Sequence, residues 1–486
     1  LNTPGRDEYL DLSRKYNLIP VCCEINADLD TPISVYKKIV REGPAYLLES
    51  VEGGENLARY SFIGFDPFLV FTSRDEEAQL TGGGQQKTMP GPPLESLERV
   101  LSGFRVYRRS GLPRFYGGAV GYVSYDAVRF IERVELPPDG IRGLPDCSFI
   151  FAGTVLVFDH VRRTLTIVVN SLTGDNPEKS YGETVERIEA IIQALGGNIP
   201  PEVEYSRQEL HGNRVEASLS KAEYMERVLR AKEYIRAGDI LQVVLSHRIR
   251  VSFSGEPFNV YRRLRALNPS PYLFYLDFGG VKVVGSSPEM LVRVEGETVE
   301  TCPIAGTRPR GADPRADEAL AAELLEDAKE RAEHVMLVDL GRNDLGKVCE
   351  TGSVRMARFM EVERFSHVMH LVSNVRGRLA PGKNAFDALK ACFPAGTVTG
   401  APKVRAMEII SELEPDGRGI YAGAIGYFGF SGNLDTAIAI RMVVFHEGSA
   451  YIQAGAGIVA DSDPEREYEE TLNKARALLK TLGINV

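Results

Sequence analysis

Two glutamate pairs, each spaced one helical turn apart, are the residues of this chain best placed to do chemistry. Glu330 and Glu333 sit in AKERAEHVMLVDL, and Glu467 and Glu470 sit in PEREYEETLNKARALLKTL; both segments read as helix. Residues i and i+3 share a helix face, so each helix can aim two carboxylates at one spot. If the helices converge, four carboxylates surround one point, and they cannot all stay ionised there without a cation. Mg²⁺ takes oxygen ligands and is commonly held by one or two carboxylates plus groups of a substrate. Taken singly, either pair is more often a solvated helix face.

Four further segments carry candidate groups. In VVGSSPEMLVRVEG, Glu289 lies in apolar surroundings, which raise a carboxyl pKa and suit a general acid; the alternative is a solvated strand-end turn. In CPIAGTRPRG, Gly306 and Thr307 offer an amide and a hydroxyl, and Arg308 and Arg310 offer cations, a set suited to an oxyanion or equally to a basic surface turn. In RFSHVMHLVSNVRG, His367 and His370 are i,i+3; zinc would need a third ligand, so one acid/base histidine is the better functional reading, beside a satisfied core histidine. AGTVTGAPK is not a nucleotide loop, but Thr397 and its glycines stand ahead of a helix beginning near Pro402. The final helix follows QAGAGIVADSDP, read as a glycine loop in which Gly455 and Gly457 let backbone amides approach an anion.

The elements that must hold these groups are legible in outline. Ser220 and Glu223 form a capping box, Met225, Val228, Leu229, Lys232 and Ile235 follow helical spacing, and Gly238 closes the helix. A long helix is expected over 316–340, with Leu320, Leu324, Leu325, Ala328, Ala332 and Val335 as its inner stripe. Asp463 caps the last helix and Pro464 opens it. Strand character marks 45–50, a hairpin over 154–170 turning near His160 to Arg163, then 240–253, 271–278 and 281–286, and a hairpin of AIGYFGF and DTAIAIRMVVF joined by SGNL. TGGGQQKTMPGPP (81–93) and 196–214 have linker composition. The second divides the chain into regions 1–200 and 201–486. Strands and helices do not alternate regularly, so the class is α+β with mostly antiparallel sheets.

The chain has 486 residues, 43% of them hydrophobic, and a net charge of −10. That is ample for a large core and unsuited to a nucleic-acid partner, which calls for clustered Lys and Arg. Six scattered cysteines make no disulfide framework and no CxxC metal site. No charged-then-apolar leader follows Leu1, and no run approaches the ~18–20 apolar residues of a membrane span. A soluble, cytoplasmic protein with reduced thiols is expected.

In order along the chain, SPEMLVR, PIAGTRPRG, AEHVMLVDLGRND, FSHVMHLVS, FPAGTVTGAPK and QAGAGIVADSDPEREYEET resemble the chorismate-utilising enzymes, with likeness extending back to about Val21. The resemblance implies large antiparallel sheets packed together with helices outside. It implies Mg²⁺ with Glu333 and Glu470 as direct ligands, and Glu330 and Glu467 behind them. Tyr421, Arg441, Gly455 and Gly457 match positions near the enolpyruvyl carboxylate, and Gly306 and Thr307 match the ring-carboxylate side. Glu289 matches the acid that assists departure of the C4 hydroxyl; His370, with Thr397 near it, matches the residue tied to loss of pyruvate.

Within the family, enzymes that add water carry a lysine where this chain has Gln242, and those that make aminodeoxychorismate commonly carry one where it has Ala305. Amination at C2 by ammonia, giving anthranilate, is therefore expected. LLESVEGGENLARYSFIG, with Glu49, Ser50 and Arg59, and NPSPYLF, with Pro271 and Tyr272, resemble the tryptophan-feedback segments of relatives, making 1–200 a regulatory region before the catalytic 201–486. No glutaminase signature is present, so glutamine would be used through a separate amidotransferase subunit. The alternatives are an aminodeoxychorismate synthase without the lysine and a non-catalytic tryptophan-binding protein.

Overall fold

The computed structural model describes residues 2–50, 59–109, 111–138, 140–199, 215–365 and 368–484; His367 and most of the 196–214 stretch lie outside them. Two long strands, Tyr60–Arg74 and Cys147–Asp159, organise the fold. They pair antiparallel from Tyr60↔Asp159 to Ser73↔Cys147, and their register shifts between Pro67 and Leu69. An extra residue at such a bulge bends and twists the strand, so each half faces a different set of neighbours.

On one side of the bend, Leu156 pairs with Ile167 and Phe62 with Leu48. From there one sheet continues through Tyr272–Asp277, Val281–Ser287, Met442–His446 and Ser449–Ile458 to Gln242–Ser252. On the other side, Phe149 pairs with Gly121, and a second sheet runs through Ala424–Gly429, Leu434–Ile438, Met290–Glu295 and Thr298–Thr301 to Val368–Arg378. All these pairings are antiparallel. The main core lies where the two sheets face each other: Tyr46, Phe274, Val283 and Val444 of the first meet Val120, Val292, Ile425 and Phe428 of the second. The outer face of the first sheet is covered by helices that bring in Tyr9, Val35, Ile188, Tyr261 and Leu478.

Regions 1–200 and 201–486 thus share both sheets. At one seam Gly121 and Gly426 are in register. A Cβ on Gly121 would lie 1.8 Å from Ser148 O, and one on Gly426 2.0 Å from Asp435 O, so only glycine fits.

The capping box at Ser220 and Glu223 is present, and Gly238 ends that helix at φ 84°. Its buried stripe is Tyr224, Val228 and Ala231, whereas Leu229 is exposed. Four other expectations need correction. Residues 81–90 are no linker: Glu77–Gly82 and Gln85–Pro90 form a hairpin on the Tyr60–Arg74 strand. The long helix is two helices, Pro314–Glu326 and Ala328–Gly346, because Asp327 stops the first and caps the second through Lys329 N and Glu330 N. The break resets the helical phase, so Leu325 and Val335 are exposed while His334, Leu337 and Val338 are buried. DTAIAIRMVVF is likewise two strands, interrupted before Arg441, whose φ is 53°. Gly455 and Gly457 lie within the Ser449–Ile458 strand, not in a loop.

Gly121→Ala is expected to cost about 2 kcal/mol or more of unfolding free energy, because the clashing atom is a backbone carbonyl held in a ladder. Urea denaturation at equilibrium measures it; an unchanged midpoint would contradict the tight seam.

Candidate active site

The two glutamate helices do converge. Glu330 and Glu333 on Ala328–Gly346, and Glu467 and Glu470 on Pro464–Thr481, line one cavity of about 430 Å³. The first helix is fastened to the second sheet by the buried His334, whose Nε2 lies 2.6 Å from Ser373 Oγ. The second is fastened to the first sheet by His247, whose Nε2 lies 2.8 Å from Thr471 Oγ1. Each anchor stands beside a cavity glutamate, so the carboxylates are placed by buried contacts rather than by mobile surface turns.

The electrostatics follow from the crowding. Burial raises the Glu333 carboxyl pKa, and the neighbouring charges of Glu330 and Glu470 raise it further. Burial raises Glu467 as well, against a hydrogen bond from Ser462. Lysines answer part of this charge: Lys474 Nζ lies 2.6 Å from Glu470 Oε1, and Lys329, also in the wall, pairs with Asp461 at 3.2 Å. Among the described residues no three His, Cys, Asp or Glu groups are gathered tightly enough to hold a metal as they stand. The donor set nevertheless fits a hard divalent cation: four carboxylates line one cavity, and Glu333 and Glu467 are disfavoured as anions by burial and then by the neighbouring carboxylates.

Arg441 and the closely packed backbone at Gly455 and Gly457 line the same cavity beside the second glutamate helix. Arg441 is held by its unusual backbone, with its carbonyl accepting from Ser286 N at 3.0 Å and its guanidinium donating to Lys474 O at 3.1 Å. Gly455 is held to glycine by backbone, since a Cβ there would meet Leu245 O at 2.8 Å and Tyr421 Oη at 3.0 Å; one at Gly457 would meet only the end of the Gln242 side chain, Nε2 at 2.6 Å. Burial pushes the Tyr421 phenol up to about 12, so it remains a neutral hydrogen-bonding group.

Gly306, Thr307, His370, Thr397 and Glu289 complete the wall. Gly306 stands at φ 67° in a bulge, where Thr307 pairs across the ladder with His370. His370 Nδ1 lies 2.9 Å from Gly306 O and 3.1 Å from Thr307 Oγ1. A carbonyl can only accept, so Nδ1 carries the proton and Nε2 keeps its lone pair. Burial lowers the His370 pKa and Arg441 lowers it further, which keeps the ring neutral. Burial raises the Glu289 carboxyl to about 7, against the pull of the Thr397 hydroxyl and Lys474. Thr397 Oγ1 is buried without an ordinary hydrogen bond, so it touches the carboxyl only loosely.

Neither Arg308 nor Arg310 lines this cavity. Arg310 pairs with Asp317, whereas Arg308 pairs with Glu323 and Asp327 and also stands 3.5 Å from the cavity carboxylate of Glu330, offsetting part of its charge from behind. Lys474 and Lys329 were missed by the sequence reading, although Lys474 sits four residues after Glu470 on the same helix face.

A second, smaller pocket of about 60 Å³ lies between the sheets and includes Glu49, Ser50, Pro271 and Tyr272. Arg59 is elsewhere, pairing with Asp159 at 2.7 Å. The Glu49 carboxylate is already taken by Tyr261 Oη at 2.5 Å and Arg265 Nε at 2.9 Å. Two arginines unforeseen from sequence, Arg114 and Arg293, flank the single carboxylate of Asp435 at 3.4 and 3.1 Å, leaving the pocket with excess positive charge.

Comparison with known proteins agrees with this arrangement. Residues 43–480 match the family model described as chorismate binding enzyme. The chain is 50% identical to anthranilate synthase component 1 of Acetivibrio thermocellus, over 99% of this chain and 98% of that protein. It is 47% identical to anthranilate synthase component 1 of Aquifex aeolicus, over 98% and 97%. Among solved structures, anthranilate synthase component I from Streptococcus pneumoniae superposes with a TM-score of 0.79 at 39% identity, covering 93% of this chain and 98% of that one. The menaquinone-specific isochorismate synthase of Escherichia coli shares the fold at a TM-score of 0.73 and 19% identity, each chain being covered to 98%. Among the described residues no helix is long and apolar enough to cross a membrane.

The raised Glu289 carboxyl has a consequence for stability. A carboxyl at about 7 when folded and 4.5 when unfolded binds more protons in the native state between those values. Its stabilising contribution is complete below pH 4.5 and is lost as pH rises through 7. At about 1.4 kcal/mol per unit, the loss is on the order of 3 kcal/mol. Glu289→Gln, uncharged throughout, is expected to match the parent near pH 4 and to exceed it at pH 8, by denaturant unfolding at both values. Equal stability at pH 8 would place Glu289 in a solvated setting.

Proposed function

Because this chain belongs to the chorismate binding enzyme family, we propose that it is the synthase component of an anthranilate synthase, converting chorismate and ammonia to anthranilate and pyruvate. The observation that carries this reading is that Gln242 and Ala305 both face the cavity that holds Glu289, His370 and the glutamates. Gln242 cannot deprotonate water, and Ala305 cannot attack the ring. Neither competing chemistry has its lysine, so ammonia adds at C2 directly.

The chain's own groups then have distinct tasks. Arg441, the amides about Gly455 and Gly457, and Tyr421 take the enolpyruvyl carboxylate, while Gly306 and Thr307 border the ring carboxylate. Glu289, with a pKa of about 7, can be protonated at neutral pH and gives its proton to the departing C4 hydroxyl, which leaves as water. The neutral Nε2 of His370 is free to accept the C2 proton as pyruvate is lost and the ring becomes aromatic, with Thr397 beside Glu289. Glu333 and Glu470 would hold Mg²⁺ directly, with Glu330 and Glu467 behind them. The ion, when bound, supplies positive charge to the ring carboxylate.

The component 1 names of the relatives fit a second subunit, and we assign it glutamine hydrolysis. The chain alone is expected to use ammonium and not glutamine. Incubation with chorismate, Mg²⁺ and ammonium should yield fluorescent anthranilate and pyruvate, reduced by 10²-fold or more on EDTA treatment or in Glu333→Ala. Aminodeoxychorismate without pyruvate, identified by mass, would overturn the reading in favour of the folate-type reaction.

The smaller pocket is assigned to tryptophan as feedback inhibitor, the excess positive charge at Arg114 and Arg293 suiting its carboxylate. At about 60 Å³ the pocket has room for roughly two waters, so binding an indole requires it to widen. Ser50→Phe should retain activity and raise the tryptophan concentration for half inhibition at least tenfold; unchanged inhibition would remove Ser50 from the effector site.

A further inference from the structure

The Gln242–Ser252 strand borders the cavity. On one side it pairs with the glycine strand, with Val244 opposite Gly457 and Ser246 opposite Gly455. On its other side it pairs with Gly400–Ala401 only at Gln242 and Val243, and with Val215–Ala217 only from Ile249 to Val251. Between these, among the described residues, no strand pairs with it.

Two buried side chains fill that gap. Glu414 Oε1 accepts from Ser246 N at 2.8 Å and from Ser246 Oγ at 2.9 Å. Arg418, 2% exposed, donates through Nη2 to Val244 O at 2.8 Å. The pair is closed by Arg418 Nε to Glu414 Oε2 at 2.9 Å and Nη2 to Oε1 at 2.6 Å. Together they give this strand edge one acceptor and one donor, as a neighbouring strand would.

The same guanidinium reaches two further parts of the site. Its Nη1 donates to Val398 O at 2.7 Å, the carbonyl next to Thr397 in the short Gly396–Thr399 helix. Its carbon lies 5.8 Å from the centre of the Tyr421 ring. Ser246 Oγ, bonded to Glu414, also receives Gln453 Nε2 at 2.9 Å, and Gln453 lines the cavity. The backbone of Arg418 is in turn fixed by Asp126 at 3.1 Å.

A buried ion pair is a poor device for stability alone, since apolar side chains of equal volume often do as well. Apolar groups cannot, however, present directed donors and acceptors to several backbones at once. We infer that Glu414 and Arg418 form a positioning pair that sets the spacing between the glycine strand, the Thr397 turn and Tyr421 across the substrate cavity. Neither residue is in the cavity lining; they act through Val244, Ser246 and Val398.

The kinetic test rests on the proposed anthranilate-forming reaction, whereas an exchange measurement does not. Arg418→Lys keeps the charge but cannot span Glu414 and both carbonyls, and should lower kcat/KM for chorismate at least tenfold. Ser246→Ala is the milder change, removing one hydroxyl, and should raise KM about threefold with kcat little altered. Ile188→Ala, in the helix-covered core away from the cavity, serves as the control for an equal loss of Tm and should keep both constants. Hydrogen exchange should quicken at 396–400 and 452–458 in both site variants and stay unchanged at 149–157. Kinetics within twofold of the parent in folded variants, or an equal loss in the control, would overturn the inference. An inactive parent would count against the reaction, and exchange would then decide: unaltered protection at 396–400 and 452–458 in Ser246→Ala would overturn the pair's role.

Discussion

Repulsion among four carboxylates in one cavity is the constraint to which the rest of the site answers. Bringing Glu330, Glu333, Glu467 and Glu470 together is unfavourable: burial first, and neighbouring carboxylates after it, raise the pKa values of Glu333 and Glu467. A fold keeps such a cluster only if the supporting helices cannot back away. Here each helix is pinned beneath its glutamates by a buried histidine on a hydroxyl, and the lysines at 329 and 474 offset part of the charge. The same cavity is lined by Arg441 and closely packed glycine backbone. Anionic and cationic groups therefore share one cavity with Glu289, a carboxyl poised between its two protonation states near neutral pH.

Much of this was legible in the sequence where a local rule has one physical meaning. The capping box at Ser220 and Glu223, the caps at Asp463 and Pro464, and the hairpin after Asp159 all came out as read. Asp327 carried a readable signal too, since an aspartate three residues before Glu330 is a helix start; a continuous apolar pattern across it concealed the break. The reading of Gly455 and Gly457 as a loop failed for another reason. Glycine marks close approach as well as turning, and here the strand passes Leu245 O too closely at Gly455 for a Cβ to fit without a backbone shift.

Other features had no sequence signal at all. Arg114 and Arg293 come from distant segments and meet only because the second sheet pairs Arg293 directly with Asp435 and carries Arg114 on the approach to a neighbouring strand. The left-handed backbone of Arg441, uncommon for a residue with a side chain, is held by the bond its carbonyl accepts from Ser286 and the one its guanidinium gives to Lys474 O on the last helix. Arg308 and Arg310 looked like anion binders because sequence shows a cation but not the carboxylates already waiting for it. Family resemblance suggested the roles proposed for the cavity residues; the structure adds that they line one cavity and which contacts fix them there.

The strand Leu434–Ile438 has a length that matters. Asp435 and Ala437 border the smaller pocket. The next residue, Ile438, donates its N–H to Glu289 O at 3.0 Å and takes the Ser287 hydroxyl on its carbonyl at 2.7 Å. Pocket and acid are thus separated by a single peptide step, so no relay of side chains across the protein is needed to connect them. A ligand that prised the sheets apart at Ala437 would tug on the carbonyl of Glu289 itself. An inhibitor bound there would work as a short lever, with the fulcrum built into one strand.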